Sequence, residues 1–191
     1  MTGNSLNVVL FLIGVLFDFY VIVLFLRLVL AFEHADFHHP ITQFVVKLTN
    51  PIIKPFKRVL PDIRGFETAT LVVILLVEFL RFLLIIMASF GVPNIFGLLI
   101  LAFADTLRLV FQTLTLAVIL QALISWINPN SPAYQILYKF TSPIMRPIQR
   151  VIPPISGIDI TPIIIVVVLQ VLIIVMVNPL KGLGWSIAIG T

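Results

Sequence analysis

Residues Pro40 to Gly65 read PITQFVVKLTNPIIKPFKRVLPDIRG, and 92 positions later Pro132 to Gly157 read PAYQILYKFTSPIMRPIQRVIPPISG. Twelve of the 26 aligned positions are identical, among them Gln43 and Gln135, Lys47 and Lys139, Pro51 and Pro143, Pro55 and Pro147, Arg58 and Arg150, and Gly65 and Gly157. Identity at that level within one chain marks an internal duplication. In each copy the apolar residues fall at helical spacing: Ile41, Phe44, Val45 and Leu48 in the first, Ala133, Ile136, Leu137 and Phe140 in the second. Asn50 before Pro51, and Ser142 before Pro143, place a side-chain acceptor and then a proline where a helix begins, so a second short helix is expected from each proline onward. On it Ile52, Phe56, Val59 and Leu60 form an apolar face that recurs as Ile144, Ile148, Val151 and Ile152. Lys54 and Arg58 form a basic face that recurs as Arg146 and Arg150. Pro55 and Pro147 should kink this helix or delay its start by a turn.

Working outward, the rest of the chain is strongly apolar. Of 191 residues 60% are hydrophobic and only 10% charged, and the mean hydropathy is +1.18. A water-soluble domain of this length would have to expose a large apolar surface, so the bilayer is the expected solvent. Four stretches reach or approach the roughly 20 residues that cross a ~30 Å hydrocarbon core: residues 7–32, 69–90, 98–126 and 162–177. The first has no Lys or Arg before it and is too long for a secretory signal, so it is expected to be a retained span. The third, 29 residues long, should be tilted or begin with an interfacial turn before about Asp105.

Of the twelve Lys and Arg, Lys47, Lys54, Lys57, Arg58 and Arg64 fall between the first and second spans, and Lys139, Arg146 and Arg150 between the third and fourth. The positive-inside bias then makes both loops cytoplasmic and both termini periplasmic, with Trp126 and Trp185 at interfaces. The expected fold is an all-α integral membrane protein with four transmembrane helices in two parallel two-helix repeats, residues 1–92 and 93–191. Each repeat carries short amphipathic interfacial helices in its cytoplasmic loop.

A segment too short to span, apolar on one side and cationic on another, should lie in the headgroup plane, where each Lys or Arg near anionic lipid contributes on the order of 1 kcal/mol. Lys47, Lys54, Lys57, Arg58, Lys139, Arg146 and Arg150 are therefore the candidate surface for anionic lipid or an acidic partner. Topological anchoring alone is the simpler reading. The expected partners are the bilayer, a further membrane protein, or a second copy of this chain.

Charged residues also fall inside the spans, where each costs roughly 2.5 to 3.5 kcal/mol on insertion scales: Asp18, Glu78, Arg81, Asp105 and Arg108. Measured from the cytoplasmic helix ends, Arg81 lies about 18 Å deep and Asp18 about 21 Å, so the two are expected to meet. Glu78 with Arg81, and Asp105 with Arg108, share a helix face at i, i+3. Arg27, nearer the end, should snorkel. The group reads either as an ion or proton path or as a neutralised network that fixes packing. The fourth span, ending at residue 177, offers only Gln170 at the position matching Glu78.

The chain has no Cys, which excludes disulfides, thiolate nucleophiles and thiolate zinc sites. His34 and His38 at i, i+4, with Glu33 or Asp36, have metal-ligand spacing. The second copy carries Ser125, Trp126, Asn128, Asn130 and Ser131 across that stretch, so an interfacial polar turn is expected and no metal site. No nucleophile-elbow, zincin or phosphate-loop motif is present, and no enzyme activity or cofactor is expected. The loop cations lack interleaved aromatics, which argues against nucleic acid.

At Thr141-Ser142-Pro143, Arg146-Pro147, Arg150, Ile152-Pro153, Gly157, Asp159 and Thr161-Pro162 the chain resembles the YggT family, with its TDPxxxPxRRxIPxxGxxDxSP-like loop between hydrophobic segments. The first copy departs late, with Glu67 for the aspartate and Thr70 for the final proline. The resemblance implies a membrane protein of bacterial inner membranes and plastids, linked to cell division, osmotic tolerance and assembly of membrane complexes, and brings no catalytic residues. The expected function is a non-catalytic assembly or envelope-maintenance factor acting through its basic helices, with a small ion transporter or channel subunit as the alternative.

Overall fold

The computed structural model describes residues 2–32, 40–63, 67–151 and 159–190. The described elements are helical: α1 (Thr2–Phe32), α2 (Pro40–Lys57), α3 (Thr68–Ser89), α4 (Ile95–Ile127), α5 (Pro132–Val151), α6 (Thr161–Leu172), a π-helical turn (Ile173–Val177) and α7 (Asn178–Ile189). Among the described residues four stretches are long and apolar enough to cross a membrane: Asn7–Ala31, Thr68–Ser89, Ile95–Ile127 and Thr161–Ile189. The protein is thus an all-α membrane protein of two tandem two-helix units, each with an amphipathic helix in its loop.

The fourth span does not stop at residue 177. Pro179 lacks the N–H that would close an α-turn onto Val175, and its ring would crowd that carbonyl. The chain widens by one residue instead, so that the Asn178 N–H reaches the Ile173 carbonyl and the helix continues. The third span is unbroken over 33 residues, which removes the interfacial turn before Asp105. Asn94 caps it, its side chain accepting from the Phe96 N–H at 2.9 Å. At 1.5 Å per residue it is about 50 Å long, well beyond the hydrocarbon thickness.

Each amphipathic segment is also one continuous helix, not the two short ones the prolines suggested. Pro51 and Pro55 stand four apart, and so do Pro143 and Pro147, all exposed. The carbonyls they leave without a helical partner share the face of Lys47 and Lys139, turned away from the bundle, where water can bind them. Asn50 consequently caps nothing and takes a different partner.

Packing divides the bundle into two apolar regions. At the amphipathic end, Leu24, Ile53, Val73, Val118, Phe140, Met145 and Ile165 join α1 to α6 in one cluster. Phe25 of α1 meets Phe140 of α5 edge-on, with centroids 5.7 Å apart, which ties the first unit to the second. At the opposite, turn end, Phe82, Ile86, Leu98, Leu101 and Ala188 form a smaller cluster beside Trp185. There α4 and α7 cross in contact: a Cβ on Gly97 would sit 2.3 Å from the Ala188 nitrogen. Small residues allow such close crossings where no hydrophobic force drives helices together.

Candidate functional site: two polar layers in the bundle

The layer at the amphipathic end is a clasp closing each unit. Arg27 is buried rather than snorkelling. Its Nε donates to Glu67 Oε2 at 2.8 Å, and its Nη1 donates to Thr49 at 2.8 Å and to Asn50 at 2.9 Å. Lys57 donates to the other Glu67 oxygen at 2.7 Å, and Thr70 adds a hydroxyl at 2.7 Å. Burial alone would raise the Glu67 pKa, but the hydrogen bonds from Arg27, Lys57 and Thr70 outweigh it and bring the group to about 2.

The second unit repeats this clasp without the cations. Thr141, the counterpart of Thr49, donates to Gln121, and Gln149, the counterpart of Lys57, donates to Asp159 at 3.0 Å. Asp159, the counterpart of Glu67, also accepts from the Thr161 N–H at 2.9 Å. Thr161 and Gln149 hold its carboxyl below the usual range although burial pushes it up. Arg27 pairs with Thr49 22 residues further on, and Gln121 with Thr141 20 residues further on.

Above these clasps α2 and α5 expose their cations. On α2 the strip Thr42, Val45, Thr49 and Ile53 is buried against the bundle, while Phe44, Leu48 and Ile52 are exposed beside it. Lys47 and Lys54 occupy the far side and are exposed, as is Arg58 just past the helix end and as are Lys139, Arg146 and Arg150 on α5. Lys57 departs from the strip, being held by Glu67 and, at 3.4 Å, by Asp62.

The second layer lies deeper, about 12 Å along α3 from the turn end. Arg81 Nη1 stands 2.7 Å from Asp18, 3.2 Å from Glu78 and 2.5 Å from Asp105. The other Asp105 oxygen meets Lys181 Nζ and lies 3.7 Å from Arg108. All four spans contribute, and three carboxylates face three cations. The structure brings together Asp18, Glu78, Arg81, Asp105 and Arg108, and adds Lys181, which sequence reasoning placed beyond the membrane by ending the fourth span at residue 177. Lys181 also lies over the Phe82 ring at 5.7 Å. The signal that could have found it is the apolar run past Pro179, Leu183 to Ile189. The three carboxylates offer oxygens within 4.8 Å of one another, yet Arg81 already occupies the space between them. His34, His38, Glu33 and Asp36 lie outside the described residues, as does Arg64.

The chain matches the CCB3/YggT family over residues 6–88 and again over 100–180. It is 32% identical over 182 residues to a protein named YggT from Escherichia coli K12, covering 94% of each chain. It is 33% identical to a protein from the proC 3' region of Vibrio alginolyticus, covering 87% of this chain and 90% of that one. A Haemophilus influenzae protein is 30% identical over 92% of this chain and 94% of its own. No solved structure matches. With one family match on each unit and relatives aligned over 87% to 94% of its length, the chain belongs to the CCB3/YggT family.

Proposed function

We propose that this protein is a non-catalytic assembly or envelope-maintenance factor of the bacterial inner membrane, with its basic helices in the cytoplasmic leaflet, both termini periplasmic and one functional unit in each half, residues 1–92 and 93–191. The carrying observation is the three-sided form of α2: one strip buried on the bundle, an apolar strip beside it and Lys47 and Lys54 opposite the buried one, with Arg58 exposed just past the helix end. A helix so divided rests against its own bundle, dips one side into acyl chains and turns its cations to anionic headgroups or an acidic partner. The cations of α5 add a second such surface at the same end. Supporting a bearing on cell division or osmotic tolerance is the family resemblance alone.

A second reading, a small ion transporter or channel subunit, is favoured by the charged layer reaching all four spans. Complementation of a deletion strain separates the two. Exchanging Lys54, Arg58, Arg146 and Arg150 for Gln, with normal membrane levels, should abolish complementation in the scaffold reading. Full complementation by that variant, together with failure of Asp18→Asn and Glu78→Gln, would favour transport.

A further inference from the structure

The deeper charged layer is not sealed within the bundle. The Asp18 side chain is 36% exposed and that of Arg108 42%. At this depth such exposure is costly in hydrocarbon, because a partly paired ion facing lipid loses most of its solvation. At the same time, Glu78, wholly buried, has an Oε1 with no hydrogen-bond partner among the described residues, and so does the Nε–H of Arg81. One buried acceptor and one buried donor, side by side and unpaired, are the groups a water molecule would bridge.

The surroundings fix the direction from which water would come. Toward the amphipathic end the layer is closed by Val21, Leu24, Val73, Ile74, Leu114 and Val118, all buried. Toward the turn end α1 carries Gly14, one turn before Asp18, where a Cβ would meet nothing closer than Arg81 Nη2 at 3.8 Å. Without a side chain there, the way to Arg81 stays open. On α4 the next exposed polar residue, Gln112, lies one turn past Arg108 toward the amphipathic end, level with that buried apolar layer.

We propose that the charged layer is the floor of a water-filled vestibule that opens at the turn end, is bounded by Asp18, Arg108 and Lys181, and ends at Glu78. It admits water and small hydrated ions to Glu78 and no further, the apolar layer beneath acting as a plug. The vestibule is independent of the role proposed for α2 and α5.

The natural absence of cysteine makes the test direct. Single variants Gly14→Cys, Gln112→Cys, Leu80→Cys and Val92→Cys are placed in membrane vesicles of the full chain and treated with a charged, membrane-impermeant thiol reagent. Val92, 92% exposed in the α3–α4 turn, marks the accessible side. Leu80, next to Arg81 in sequence but on the outer surface of α3, is the lipid-facing control at the same depth. A thiol reacts as its thiolate, which forms in water and not in lipid. Gly14→Cys should label from the same side as Val92→Cys, at least about tenfold faster than Leu80→Cys, helped by the adjacent guanidinium, whereas Gln112→Cys, level with the plug, should label from that side no faster than Leu80→Cys. Labelling of Gly14→Cys no faster than Leu80→Cys, or of Gln112→Cys as fast as Gly14→Cys, overturns the vestibule. Spontaneous disulfide-linked dimers of Gly14→Cys also overturn it, because a second copy would then cover the opening.

Discussion

Arg27 and Glu67, forty residues apart, meet at 2.8 Å and lock the end of the first span to the start of the second. Both are largely buried, so each depends on the other to offset its desolvation. Glu67→Gln leaves buried Arg27 with no countercharge and Lys57 with Asp62 alone, and should destabilise the protein by about 3 kcal/mol. Gln121→Leu in the second unit removes a neutral hydrogen bond and should cost about 1 kcal/mol. Unfolding in mild detergent, followed by circular dichroism or a thermal shift, would resolve the two.

The same carboxylate gives the protein an acid-labile element. Glu67 falls to about 2 in the folded chain from an ordinary value of 4.5. A depressed carboxylate stabilises the fold above its unfolded pKa, and that contribution fades as pH drops from about 4.5 toward about 2. Melting temperature should therefore fall across that window in the parent chain. In Glu67→Gln this part of the decline should be absent, the variant being weaker already at neutral pH.

Asp105 is the hub of the deeper layer, with Arg81 and Lys181 against its two oxygens and Arg108 nearby. Asp105→Asn strands buried positive charge and should destabilise by about 3 kcal/mol or more, exceeding the effect of Asp18→Asn, whose side chain is partly open. Adding Lys181→Met should recover part of the loss. A double-mutant cycle measures that coupling, and simple additivity would contradict the pairing.

The crossing of α4 and α7 makes a steric prediction. Gly97→Leu must push aside the Ala188 backbone and should lower the melting temperature sharply, or prevent accumulation in the membrane. Gly182→Ala, which meets nothing within 4 Å, should be neutral or stabilising by about 0.5 kcal/mol through helix propensity.

Much of this fold is written locally. The duplicated loop announces two like units, the apolar runs announce the spans, and helical rise alone sets Asp18 level with Arg81. What the sequence conceals comes from contacts between distant elements. Arg27 reads as a snorkelling cation because Thr49, Asn50 and Glu67 close around it from two other elements. Lys181 reads as lying outside the membrane because Asn178-Pro179 has the look of a helix stop, whereas a π-turn absorbs the proline and carries the helix on. Asn50-Pro51 and Ser142-Pro143 look like helix starts for a related reason: local signals for a break are overridden when the face losing its hydrogen bonds is the one open to water.

The placement of both basic helices in one leaflet is tested most directly by single cysteines at Lys54 and Arg146, probed with an impermeant reagent on sealed vesicles of known orientation. Lys54→Cys and Arg146→Cys should both react from the cytoplasmic side and Val92→Cys from the other. Reaction of Lys54→Cys and Arg146→Cys from opposite sides would contradict a parallel pair of repeats, and with it the shared basic surface.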